Sequence, residues 1–466
     1  MMNLFSRTKS FCVLIILGVL YLLFPNNHAH ILIFAWVYKM AFSLSDLNKR
    51  SALLAFDLAL FTFLMTRLVI PLFYTNDYII TSLDDTLSFN LETYDFMYTA
   101  IFIAMICVHV GFNVVNLNIN TITKINNQKP QTLSIRYISK KICNITFVFA
   151  ILEVLEKVYF VWTHSYLDYY LSYGQSLPGI IYKLSTIYDL VFYIFLATMP
   201  SKKDAKPVII MYLILNTLSL LGGGRSSFIL AIMFLVIYGY LRNDLTPDKP
   251  WISSKIQRRL LIIIPGVCML MFIVMMIRGG SESYNMNVFE LFLNFFFSQG
   301  SSMQVLGLTY EGVDSFPDGQ YYSLGPLINV VNDNILLHML GIGHHFKSQT
   351  VEIALNGHSL GNYLTYTYQT QRFFKGGGLG SSYIAEAWAD FGYIGIIIWS
   401  LIYGVILAKI KLWCVKNTWI TALAFMMMMS IIYAPRANAI SFVSNLVSPT
   451  YLLTFMYIYY YSKRHS

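Results

Sequence analysis

Charge is what this 466-residue chain has least of. Only 12% of its side chains are Asp, Glu, Lys or Arg, against 56% hydrophobic, a balance that excludes an ordinary soluble domain because so much apolar surface has no interior to hide in. Cysteine is sparse too. Cys12, Cys107, Cys143, Cys268 and Cys414 fall in apolar runs or basic loops, and no CxxC or His/Cys cluster stands at a metal-ligand spacing, so neither a disulfide framework nor a zinc site is expected, and no cofactor. The chain lacks internal repeats, low-complexity tracts and an interdomain linker. The first apolar run has no small-residue cleavage site and leads directly into further runs, which predicts a retained helix and not a signal peptide.

What is there in abundance is apolar length. A helix needs roughly 20 apolar residues to cross the hydrocarbon core. Runs near 11–25, 30–45, 51–74, 96–118, 143–163, 178–199, 207–221, 226–241, 259–277, 391–409, 419–434 and 440–461 predict an all-α polytopic membrane protein. The expected fold has about twelve transmembrane helices and one large external loop, residues 278–390, all within a single domain, 1–466.

The net charge of +9 has a topological pattern that argues against nucleic acid as a partner. Lysine and arginine beside spans favour the cytoplasmic side. One set of loops carries Arg7 and Lys9, Lys49 and Arg50, Lys124 through Lys141, Lys202 to Lys206, Arg242 to Arg259, Lys409 to Lys416, and Lys463 with Arg464. The alternate set includes 75–95, which holds Asp77, Asp84, Asp85, Glu92 and Asp95 and no base. Both termini are therefore expected in the cytoplasm and residues 278–390 outside. That loop is rich in Phe, Tyr, Leu and Gly, which predicts order, with an apolar helix at 289–297 carrying Glu290 and Asn294 on one face.

Three constellations carry chemistry. Gly222-Gly223-Gly224-Arg225-Ser226-Ser227 joins two spans on the expected outer face. Glycines Gly223 and Gly224 allow close backbone approach, a helix N-terminus follows, and Arg225 adds a planar cation, which together suit a phosphate. The alternative is a tight hairpin with Ser226 as helix cap and Arg225 as an interfacial anchor. Arg278 and Arg436 lie on the same expected face, and three arginines there suit a diphosphate.

The second constellation runs from Gly376 to Gly392. Ser382, Glu386 and Asp390 are spaced by four and form one helical stripe, whose two carboxylates repel unless a cation or a raised pKa relieves them. Glu386 is thus a candidate general base with Asp390 beside it; a solvated helix face is the plainer alternative. The third is the histidine set His338, His344, His345 and His358, of which His358 is a second candidate base, and a satisfied loop histidine equally. Within the spans, Asp57, Arg67, Glu153, Glu156, Lys157, Lys183 and Asp189 are costly unless paired or facing a wet cavity; Glu153 and Lys157, four apart, suit each other.

The glycine turn ending in Arg225, the long external loop, Arg436 before the last span, and the stretch GGGLGSSYIAEAWADFGYIG together resemble the Wzy-type O-antigen polymerases, which share more topology than sequence. The resemblance implies a glycosyltransferase that uses no nucleotide sugar. It would pass a growing glycan from undecaprenyl pyrophosphate to a new lipid-linked repeat unit at the outer face of the bacterial inner membrane. In that reading Arg225, Arg436, Arg278, Gly223 and Gly224 hold the pyrophosphate, and Glu386, His358 or Asp390 activates the acceptor. The lipid bilayer, a chain-length regulator and a flippase are the partners to consider. An O-antigen ligase, or a carrier for lipid-linked oligosaccharide, is the competing reading.

Overall fold

The computed structural model describes residues 7–74, 89–115, 130–164, 168–279, 288–332, 340–341 and 343–465. Asp77, Asp84, Asp85, Lys124, Lys129 and His338, all used above, lie outside the described residues. Every regular element among those described is helical. Among the described residues, seven helices are long and apolar enough to cross a membrane, eight if the pair Thr8–Leu23 and Pro25–Leu44, bent by 115°, is one span. The chain is therefore a multi-pass membrane protein.

Several of the expected spans take another form. Pro130–Thr163 continues for 34 residues, roughly 50 Å at 1.5 Å per residue, and its charges at Lys140, Lys141, Glu153, Glu156 and Lys157 dilute its apolar stretch. Pro449–Arg464 has 16 residues, about 24 Å, because Ser441–Ser444 and Asn445–Val447 form short separate turns before it. Large side chains such as Leu22 (82% exposed), Ile262 (77%) and Ile394 (67%) face outward, as lipid allows and water does not.

The chain packs as two compact units. The first comprises Met1–Asn116, Ser281–Ala408 and Ser430–Ser441. Its helices begin where sequence chemistry permits: Asp46 accepts from Lys49 N at 3.3 Å and Asn90 from Thr93 N at 2.7 Å, capping the helices they precede. With little hydrophobic force between helices in lipid, close packing needs small residues. A Cβ on Gly111 would lie 2.4 Å from the carbonyl oxygen of Leu401, and one on Gly404 2.1 Å from that of Val108, so Leu91–Val114 and Tyr383–Lys416 are locked backbone to backbone.

In the same unit Asp57 is relieved by Lys39 at 2.6 Å, both side chains fully buried, with Lys39 also donating to the carbonyl of Met105 at 2.9 Å. A π-helical turn, Phe61–Met65, interrupts the long helix Leu47–Phe73. In the expected external segment the described residues form helices at Val288–Gln299, Ser302–Gly312, Gly325–Asn332, Val351–Asn356, Leu360–Tyr368 and Thr370–Phe374. Glu290 accepts from Tyr74 Oη at 2.9 Å, which ties the first of these helices to the end of Leu47–Phe73.

The second unit comprises Leu117–Gly280, Lys409–Met429 and Phe442–Ser466. Glu153 and Lys157 form the expected ion pair. Glu156 accepts from Tyr173, Tyr182 and Ser176, which pins the chain at 173–182 to the end of Pro130–Thr163. At the opposite, basic end, Arg242 (4% exposed) donates to the carbonyl of Pro200 and to Tyr238, with the Trp251 ring 4.6 Å from its Cζ.

Candidate functional site

In the first unit the Gly376–Gly380 loop enters the helix Tyr383–Lys416. Gly376 and Gly380 have φ of 77° and 80°, a left-handed backbone that a residue with Cβ adopts at a cost. Leu379 N donates to Thr365 Oγ1 at 3.0 Å, docking the loop on Leu360–Tyr368. The helix then breaks at Phe391 and Gly392, the latter at φ 57°, ψ −149°, a region essentially reserved for glycine. Glu386 and Asp390 occupy the short piece between loop and break.

The Ser382, Glu386 and Asp390 stripe is turned into the protein. Glu386 is 0% exposed. Its carboxylate accepts from Ser381 Oγ at 2.6 Å, Asn438 Nδ2 at 2.6 Å and Ala439 N at 2.8 Å. Two of these donors come from the loop that carries Arg436, so this carboxylate staples that loop to the helix. Asp390 accepts from the backbone N–H groups of Tyr322 (2.9 Å) and Ser323 (2.7 Å) and from Ser323 Oγ (2.6 Å).

His358 completes the row. Its Nδ1 faces Tyr321 N at 3.2 Å, so three consecutive backbone N–H groups, Tyr321 to Ser323, are held by His358 and Asp390. A donor aimed at Nδ1 requires that nitrogen to be unprotonated and places the ring proton on Nε2. Burial pushes the imidazole below its ordinary value, and the charge of Asp390 opposes that. His358 also lines a cavity of about 150 Å³ with Asn329, Asn332, Asn362, Ser348 and Ser359. These side chains offer hydrogen bonds of both kinds, as sugar hydroxyls require. His344, in the same lining, contacts Glu352 at 2.9 Å.

Arg436 ends the turn Ala434–Arg436. One guanidinium N–H donates to the carbonyl of Gln299 at 3.0 Å, and its Cζ lies 5.4 Å from the Phe63 ring centroid. No carboxylate pairs with it among the described residues.

Arg225 belongs to the second unit and opens the helix Arg225–Leu245. Gly223 takes φ 89°, and Gly224 holds the cap position with no side-chain cap, so Ser226 is exposed and does not serve that role. A Cβ on Gly224 would lie 2.3 Å from Ser219 Oγ, which is why a glycine stands there. Arg278 lies at the end of Ser254–Gly279 in the same unit; its side chain is outside the described residues.

Residues 7–465 match the family described as O-antigen polysaccharide polymerase Wzy. The chain belongs to that family. No curated protein and no solved structure matches it. Membership in the Wzy family supports an O-antigen polymerase acting within a membrane, and the expectation drawn from the GGGRSS turn and the GLGSS to DFG segment holds over nearly the whole chain. The sequence reading missed the partners: Asn438 and the Ala439 N–H for Glu386, and Tyr322 and Ser323 for Asp390. Asn438 stands two residues after Arg436, where a carboxamide in an otherwise apolar run was the available signal.

Proposed function

We propose that the chain polymerises undecaprenyl-pyrophosphate-linked oligosaccharide repeat units into O-antigen or capsular-type polysaccharide on the outer face of the inner membrane. It would have about twelve spans, both termini in the cytoplasm and residues 278–390 outside. What carries this reading is Arg436: a cation on a loop fastened by the buried Glu386, without a carboxylate partner among the described residues, in a chain of the Wzy family.

In this reaction the bond between the anomeric carbon of the growing glycan and the pyrophosphate oxygen breaks, and one forms to a hydroxyl oxygen of the acceptor repeat unit. The hydroxyl proton passes to the departing pyrophosphate, which leaves with the electron pair of the broken bond and so carries the negative charge to accept it. Arg436 would neutralise charge developing on the leaving group, the kind of preorganised stabilisation that contributes most in a water-poor site. Glu386 and Asp390 then act as positioning residues, the first for the arginine loop and the second for Tyr321–Ser323. His358 presents its Nε2–H to the polar cavity, where an acceptor hydroxyl would be oriented.

The test is reconstitution of the full chain with synthetic undecaprenyl-pyrophosphate-linked repeat units and nothing else. A ladder of lengthened glycans supports polymerisation. Elongation that appears only when a lipid A core acceptor is added would make the chain a ligase, and translocation without elongation would make it a carrier.

A further inference from the structure

Arg67, a charged residue inside a span, remains to be accounted for. It lies in the first unit on Thr66–Phe73, just after the π-helical turn Phe61–Met65. Single π turns inside α-helices recur at functional sites because they shift the side chains that follow. Its Nε donates to the carbonyl of Phe297 at 3.0 Å, and its Cζ stands 5.3 Å from the Phe297 ring. Its Nη1 is buried and has no acceptor among the described residues. A buried charged donor without an acceptor is destabilising, so an arginine kept in that state calls for an explanation.

Arg436 reaches the same corner. It donates to the carbonyl of Gln299, two residues beyond Phe297, and it stands over Phe63 of the π turn that leads to Arg67. The two guanidiniums thus bind carbonyls two residues apart at the end of one helix. Neither has an ion pair among the described residues. Carbonyl oxygens at the C-terminus of Val288–Gln299 offset part of two like charges, and among the described residues no carboxylate supplies the rest. The helix Ser302–Gly312 begins two residues after Gly300 and brings its positive end to this corner as well. Gly300 itself is packed tightly, since a Cβ there would lie 2.5 Å from Thr66 Oγ1 and 2.8 Å from Arg67 Cγ.

We infer that Arg67 and Arg436 together form one anion site, whose ligand is the diphosphate group of the lipid-linked donor. Two planar forks match the non-bridging oxygens of a diphosphate, and a lysine at either place would supply charge without that geometry. An interfacial anchor would send its head to water or headgroups; Arg67 instead buries one edge of its guanidinium. The assignment rests on the proposed polymerase reaction for the identity of the lipid, but not for the anion chemistry.

The two can be separated by measuring binding of inorganic pyrophosphate to the purified full-length chain in detergent, by calorimetry, beside elongation of lipid-linked repeat units. Wild type should bind. Arg67→Gln and Arg436→Gln should each weaken binding about 10- to 100-fold, the loss of a charge-assisted contact, and Arg67→Lys should weaken it less. Arg372→Gln, which removes a charge on Thr370–Phe374, should bind as wild type. If Arg67→Gln binds as tightly as wild type while Arg436→Gln does not, the pairing is wrong. If wild type does not bind pyrophosphate, the site is wrong. If binding behaves as described but no lipid-linked glycan is lengthened, the anion site stands and the polymerase reading falls. Melting temperatures without ligand identify any variant that fails to fold, and Arg67→Lys then carries the test.

Discussion

Glu386 and Asn438 are joined by a 2.6 Å hydrogen bond across 52 residues of sequence, and Ala439 N adds a second tie from the same loop. The carboxylate that sequence spacing offers as a base is used to fix the loop bearing Arg436. Glu386→Gln replaces an acceptor-only group by one whose NH₂ faces a donor. Elongation should fall about 10- to 100-fold, from 1.5–3 kcal/mol lost at the loop. Asn438→Ala should produce a smaller loss, and the double variant should be no worse than Glu386→Gln, because both break one contact. Elongation assays at matched membrane abundance decide; additive losses would separate the two residues.

The row formed by His358 and Asp390 predicts a pH dependence. The folded pKa of His358 lies below its unfolded value, so the unfolded segment binds the extra proton first and stability rises with pH through that window. Below it, protonated Nδ1 can no longer accept from Tyr321 N. The protection of the Tyr321 amide, its exchange rate relative to the intrinsic rate at the same pH, should therefore be lower at acidic pH than at neutral pH, and His358→Ala should remove that difference. Exchange that is unaffected by both changes would mean that Asp390 alone holds the turn.

Asp390→Asn retains the volume but exchanges one acceptor for a donor facing Ser323 N or Tyr322 N. Amide exchange at those two positions should accelerate by about 10-fold or more, as expected for roughly 1.5 kcal/mol or above. Ser323→Ala, which removes only the hydroxyl, should have the milder effect.

Gly392→Ala forces a residue with Cβ into a conformation close to glycine-only, at about 1–3 kcal/mol. Thermal unfolding of the detergent-solubilised chain should shift downward. An unchanged transition would mean that the break relaxes without cost.

Lys39 and Asp57 test the packing of the first unit. Removing one partner of a buried pair typically costs about 3–5 kcal/mol, whereas replacing both with apolar residues of similar size is often neutral. Lys39→Met should therefore lower abundance sharply, and Lys39→Met with Asp57→Leu should restore it. Equal loss in both would point to a functional requirement for the charges.

The all-helical, membrane-spanning character was legible in the sequence because apolar length is read residue by residue. The Glu153–Lys157 pair followed from spacing alone. Long-range partners did not: nothing in the order of residues says that Lys39 meets Asp57, that Glu386 meets a loop 52 residues later, or that Arg67 and Arg436 converge on the end of Val288–Gln299. The polar stripe of Ser382, Glu386 and Asp390 has the spacing of a solvated face, yet helix packing and the returning loop bury Ser382 and Glu386. The number of spans differs for a similar reason: short turns at 441–447 interrupt a run that looks continuous, and the runs 11–25 and 30–45, which read as two spans, form a pair bent by 115°.

Sidedness can be checked independently. Reporter fusions after Asn356 and after Lys203 should show opposite locations, Asn356 outside, as the alternation of basic loops requires. Fusions that report one side for both would remove the outer-face reading.

The central claim is that Arg436, held by Glu386, stabilises a departing diphosphate during chain elongation. Its most direct measurement is the product ladder made from synthetic lipid-linked repeat units by the purified chain and by Arg436→Gln at equal protein and equal fold. The expected result is a full ladder from the first and a loss of about 100-fold or more in elongation rate for the second, the scale seen when one preorganised charge-stabilising donor is removed. A ladder from Arg436→Gln formed at the wild-type rate would contradict it.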